Sequence, residues 1–126
     1  MTDLRSYLDD MGSQPFRYGR HDCFTVAARW IVLCGGRDVL RRYASLREGL
    51  ELAAAEGHDN HLPWLDEACA RIPVLMARAG DLAVFVNSSL PAVGIVRPGG
   101  EDVMSLGRSG PGVAALTDAD YCLRVR

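Results

Sequence analysis

The 126-residue chain is expected to fold as one α+β domain, with N-terminal helices packed on a C-terminal antiparallel β-sheet. Three observations lead there. Apolar residues recur at helical spacing up to about residue 72. From Gly80 onward they come instead in short runs of strand length. Seven of the 13 glycines fall in that second part, mostly where turns are needed. Helices first and strands afterwards, rather than in alternation, specify an α+β layout. No repeat, linker or low-complexity tract divides the chain, so a single domain spans residues 1–126.

Each element has its own local cause. Leu4, Tyr7, Leu8 and Met11 stand at i, i+3, i+4 and i+7 behind Thr2 and Asp3 as caps, which gives a short amphipathic helix ending at Gly12. The stretch SQPFRYGRHD, with Pro15 and Gly19, reads as a loop. Asp22 then caps a second helix whose apolar stripe is Cys23, Ala27, Trp30, Ile31 and Cys34, and which Gly35-Gly36 ends. Ser45-Leu-Arg-Glu48 is a capping box, so a third helix starts near Leu46 and runs to Gly57. His58-Asp-Asn-His61 is a polar loop, and Pro63 suits the first turn of a fourth helix from Trp64 to Arg71, closed by Pro73. Five strands follow, over residues 81–86, 91–96, 102–106, 112–116 and 121–125, arranged as a meander. The first is apolar without interruption, as a strand covered on both faces would be.

Composition narrows the function classes. Fourteen Lys+Arg oppose 16 Asp+Glu for a net charge of −2, so nothing draws the chain generally to nucleic acid or anionic lipid. The longest apolar run, near Trp30 to Cys34, is too short to span a membrane. All 14 cations are Arg, which removes Schiff-base and Walker lysine chemistry and otherwise reads as a coding bias. The first residues show no basic stretch followed by an apolar one, so synthesis in the cytoplasm without a secretory signal is expected. The four cysteines contain no C-x-x-C pair, and the spacing signals of zinc sites and redox dithiols are absent. Cys34 and Cys69 read as small buried hydrophobes. Four cysteines so scattered offer little to an iron–sulfur cluster, and no cofactor or metal is expected.

Cys23 stands apart because it opens the best-defined helix. Unpaired N–H groups and the positive dipole end there stabilise a thiolate, and such a thiol is a nucleophile when a base lies within hydrogen-bond reach. The plainer role for Cys23 is a small residue where the helix packs on the sheet. Around it, Pro15-Phe16-x-Tyr18-Gly19-x-x-Asp22-Cys23 resembles the nucleophile segment of the NlpC-like branch of papain-fold cysteine peptidases. Gly80-Asp81-Leu82-Ala83-Val84-Phe85 resembles that family's G-D-L strand, and Val93-Gly94-Ile95-Val96 its H-V-G-I strand. Order and spacing agree from about Phe16 to about Leu106, which implies the papain-like, NlpC-type version of the α+β layout. More narrowly, P-F-x-Y-G-x-x-D-C, A-R-x-G-D and the terminal Y-C-L-R-V resemble a small subfamily encoded among phage tail genes, without assigned activity.

One departure weighs against catalysis. Active members carry the general base at the first position of H-V-G-I, which is Ala92 here. The stretch that would orient the base is Val103-Met104-Ser105, and Ser105 has no imidazole to hold. His21 reads as a surface residue or a cap contact, and His58 and His61 as exposed loop residues without a third metal ligand. Asp22 is most simply the cap, although it could orient a base. Tyr18 either lines a cleft near Cys23 or packs within its loop. Trp30 and Trp64 belong to the core, and Asp9-Asp10 and Arg41-Arg42 to solvated faces. Arg17, Arg20 and Arg29 are expected to pair with neighbouring acids.

Two functions follow from the resemblance. One is a structural or assembly protein of a phage tail tip or hub, carried in the virion after synthesis in the host cytoplasm, with other tail proteins as partners and a degenerate active site. The other is an active cysteine peptidase acting on peptidoglycan peptides, with Cys23 as nucleophile.

Overall fold

The computed structural model describes residues 3–86 and 90–125; the expected cap Thr2 lies outside them. Helix α1 spans Leu4–Ser13, and the Asp3 carboxylate accepts the Ser6 N–H at 2.8 Å at its start. Helix α2, Cys23–Leu33, is capped by Asp22 and closes through Gly35 N–H to Val32 and Gly36 N–H to Ile31. Helix α3, Leu46–Ala55, begins with the expected capping box: Ser45 Oγ accepts the Glu48 N–H at 3.1 Å. The Glu48 carboxylate reaches back to the Ala44 N–H, also at 3.1 Å.

The fourth helix departs from expectation. Helix α4 covers only Leu62–Asp66, with Pro63 in its first turn. The chain then turns through Ala68 and Cys69, whose N–H groups both reach the Leu65 carbonyl, and Ala70–Ile72 form strand β1 instead of a last helical turn. Arg71 explains part of this: its guanidinium pairs with Asp66 at 3.2 Å and lies 4.1 Å from the centre of the Tyr121 ring on the neighbouring strand. A side chain held from both sides that way favours the extended backbone that pairs with that strand.

The remaining strands are β2 (Leu82–Phe85), β3 (Ala92–Val96), β4 (Asp102–Gly107), β5 (Gly110–Ala115) and β6 (Tyr121–Arg124). They form an antiparallel sheet of order β1-β6-β2-β3-β4-β5. A meander accounts for β2 to β5, as expected. The last strand instead returns to the far side of β2 and brings β1 with it, so the sheet has six strands and not five.

The α+β class is therefore the one the sequence implies, and strand alternation divides the core into two layers. Leu82, Val84, Val93, Ile95, Leu106 and Leu123 face the helices, where Ile31, Trp64 and Leu65 are fully buried. Ala83, Val96, Val103 and Cys122 face the other side, covered by Leu116 and by Ile72, Val74 and Phe85. This is why the 82–85 run is apolar throughout. Helix α2 crosses β3 and β4. Gly94 sits on β3 with so little room that a Cβ would lie 2.5 Å from Val103 Cγ1 and 2.8 Å from the Met104 carbonyl, so close strand packing demands the glycine there. No helix among the described residues is long and apolar enough to cross a membrane.

Candidate functional site

The loop before α2, the start of α2 and the segment before α3 are drawn together by one carboxylate. Asp22 is buried, and its Oδ1 accepts the Thr25 N–H at 2.7 Å. Its Oδ2 accepts the Gly19 N–H at 2.7 Å and the Tyr43 hydroxyl at 2.6 Å. Gly19 is needed at that turn: its φ is +78°, and a Cβ would overlap the Tyr43 carbonyl oxygen. Burial and the Asp22 contact push the Tyr43 hydroxyl well above its ordinary 10. With these three donors satisfied, Asp22 serves as cap and loop clasp and is not free to orient a base.

Cys23 follows directly and is half-buried. Burial pushes its thiol from an ordinary 9 up to about 11, and the adjacent Asp22 charge adds to the rise. The Val93 N–H on β3, and those of Phe24 and Cys23 itself, pull downward without cancelling it. The magnitudes decide the balance. A helix N-terminus contributes about 0.3–1 kcal/mol to an adjacent anion, whereas raising a thiol from 9 to about 11 corresponds to about 3 kcal/mol. The expectation of a stabilised thiolate at the head of α2 is corrected accordingly: at neutral pH the thiol keeps its proton.

Cys23 opens on a cleft of about 370 Å³ bounded by the 16–22 loop, α3, the start of α4 and the facing ends of β3 and β4. Ala92 and Ser105 are both on its walls, so the structure brings the three motif positions together and supplies no imidazole at either strand position. Tyr18 lines the cleft and also packs edge-on against Phe16 at 4.8 Å between ring centres, which joins the two roles foreseen for it.

Of the histidines, His21 makes the cap contact foreseen as one of its roles, His58 is half-buried, and His61 departs from the exposed position expected. His21 is buried, not on the surface, and its Nε2 lies 2.9 Å from the Met11 carbonyl near the end of α1, the contact of a helix cap. With Nε2–H donating there, Nδ1 has no hydrogen-bond partner among the described residues. His61 is no exposed loop residue: it stands on the cleft wall beside the Phe24 ring, 5.7 Å between centres. Burial lowers it from 6.5 to about 4 against an opposing pull from Asp22, and its buried Nε2 also lacks a partner among the described residues. That unpartnered Nε2 makes no hydrogen bond to the Cys23 thiol.

Trp30 and Trp64 are buried as expected, Trp64 also forming part of the cleft wall. Arg41 is not merely solvated: it faces Glu56 at 3.4 Å and Glu67 at 3.6 Å and covers the Trp64 ring at 4.8 Å. Arg17, Arg20 and Arg29 are exposed and enter none of the ion pairs among the described residues, contrary to expectation. None of the four cysteines is in a disulfide; Cys69 is buried as expected, whereas Cys34 is only half-buried. No three His, Cys, Asp or Glu side chains among the described residues gather as a metal site.

Tyr43 and Arg108 complete the cleft without a signal in the sequence, and His61, expected as an exposed loop residue, joins them. His61 had one usable signal, the apolar Leu62-Pro63-Trp64 turn that follows it and carries it inward. The Gly80-Asp81 step is equally structural. Buried Asp81 accepts the Arg78 N–H at 3.0 Å and the Val125 N–H at 3.1 Å. Arg124 Nε faces it at 3.2 Å as an ion pair without hydrogen-bond alignment. That carboxylate fastens the entry of β2 to the end of β6.

No curated protein matches the chain. The family described as "Domain of unknown function (DUF6950)" matches residues 1–125, and the chain belongs to it.

Proposed function

We propose that the protein is a non-catalytic structural or assembly module of a phage tail tip or hub, with a papain-like fold whose active site has lost its base. The observation that carries the reading is the state of Cys23. Its thiol is held protonated between α2 and β3, and the strand position from which a base would act is Ala92. A Cys nucleophile needs an acceptor for its proton or a depressed pKa; here the strand position holds no base and the pKa is raised. The phage-tail setting rests on the motif resemblance. Two of those motifs do mechanical work here: Gly19 and Asp22 clasp two loops, and Asp81 with Arg124 ties β2 to β6. Such fastening serves a scaffold and requires no catalysis. The partners in this reading are other tail-tip or hub proteins, and the location is the virion.

The alternative, a cysteine peptidase cutting peptidoglycan peptides, is favoured by one observation: Cys23 opens a helix onto a cleft that also holds His61. The two readings separate in a phage carrying a Cys23→Ala allele. The assembly reading expects particles that contain the protein and infect at wild-type titre, while deletion of the chain stops tail formation. Particles that assemble normally but no longer infect support the peptidase, and tails that lack the protein altogether overturn the assembly role.

A further inference from the structure

We propose that the cleft beside Cys23 receives a peptide segment of a partner protein that presents a large apolar side chain next to a carboxylate, with the carboxylate seated on Arg108. This names the partner chemistry for the non-catalytic reading above and rests on it. The walls supply the first half of the recognition: Phe16, Phe24, Leu50, Trp64 and Leu106 make an apolar cleft. Its volume of about 370 Å³ is at the small end of ligand-holding clefts, suited to one or two side chains.

Charge supplies the second half. Asp22 on the cleft wall is closed to a ligand by its own three donors. His61 is neutral at pH 7 because burial lowers it. Arg108 is exposed at the end of β4, and no ion pair or hydrogen bond engages its guanidinium among the described residues. Among the described residues the cleft therefore offers one unengaged cation beside an apolar pocket, and the complement is an apolar group with a single adjacent anion. One arginine on a chain of net charge −2 does not make a polyanion site, which argues against a nucleic-acid backbone.

The test is a titration of ¹⁵N-labelled protein with three short peptides: acetyl-Gly-Phe-Glu-Gly-amide, its Gln analogue in place of Glu, and its Ala analogue in place of Phe. The proposal expects the first peptide to shift the amides of Cys23, Ala92, Ser105 and Arg108. The Gln peptide binds about three- to fivefold more weakly at low salt, the range of an exposed charge pair. The Ala peptide binds at least about tenfold more weakly, from loss of the apolar anchor. Arg108→Gln equalises the Glu and Gln peptides and leaves the rest of the spectrum in place, since Arg108 engages no other group among the described residues. Shifts confined to other surfaces, equal binding of the Glu and Gln peptides to the wild type, or no binding at millimolar peptide each overturn the proposal. So does saturation of the same amides by decanoate when the peptides fail, which assigns the cleft to a free amphiphile. Cleavage of a peptide overturns the non-catalytic reading itself, whereas intact peptides that do not bind overturn only this inference.

Discussion

Cys23 at the head of α2 and Cys122 in the middle of β6 occupy sites of opposite character. One has a helix N-terminus behind it and a cleft in front; the other lies wholly inside the sheet layer. Burial nevertheless pushes both thiols to about 11. The helix terminus does not offset burial: the N–H groups of Cys23 and Phe24 pull the thiol down only in part, and the Asp22 side chain takes the Thr25 N–H. The same capping carboxylate places a negative charge beside the sulfur. A good cap for the helix is thus a poor activator for the cysteine next to it. What sets Cys23 apart from Cys122 is access to the cleft, not acidity.

That comparison breaks most strongly at Asp22. Asp22→Ala leaves Gly19 N–H, Thr25 N–H and the Tyr43 hydroxyl without their acceptor, and it is expected to cost roughly 3–4 kcal/mol in urea unfolding. A cost under about 1 kcal/mol would show that the clasp does not hold the cleft region together.

The next effect concerns pH. His61 is lowered by burial from 6.5 to about 4, so the unfolded chain takes up a proton before the folded one as pH falls. The neutral-histidine contribution is whole above about 6.5 and is lost on going down through about 4, a decline of up to about 3 kcal/mol. His61→Gln is expected to flatten that acid limb, measured as unfolding free energy against pH between 4 and 7. An unchanged slope removes His61 from the buried cleft wall.

A smaller effect sharpens the cysteine pair itself. Cys122→Ala opens a small void in a fully buried layer and is expected to cost about 1 kcal/mol, while Cys23→Ala, beside open space, costs less. The reverse order, read from paired denaturation curves, would place Cys23 in the tighter environment.

How far these features are legible in the sequence depends on how local their causes are. The starts of α1, α2 and α3 are readable because Asp3, Asp22 and Ser45 act on N–H groups three residues away. Strand β1 is not: Trp64, Leu65, Ala68 and Cys69 continue a helical spacing, and only pairing with Cys122–Arg124, some 50 positions on, makes 70–72 extended. The return of β6 beside β2 is hidden for the same reason, since Leu82 faces Leu123 only once the chain has folded. At the site, Cys23, Ala92 and Ser105 are legible through motif order. His61, Tyr43 and Arg108 reach the cleft from three other segments, and no spacing rule links them. Even Cys23 was only half legible, because its position shows in the sequence and its desolvation does not.

The account stands most directly on the pH dependence of Cys23 alkylation by iodoacetamide, followed by mass spectrometry of the Cys23 peptide in the folded protein between pH 6 and 9.5. A thiol near 11 predicts slow labelling at pH 7 and a rate that climbs about tenfold per pH unit across the whole range without levelling. A fast rate that is already flat below pH 8 would mean a thiolate activated by its surroundings, and would contradict the reading of this cleft as an inactive one.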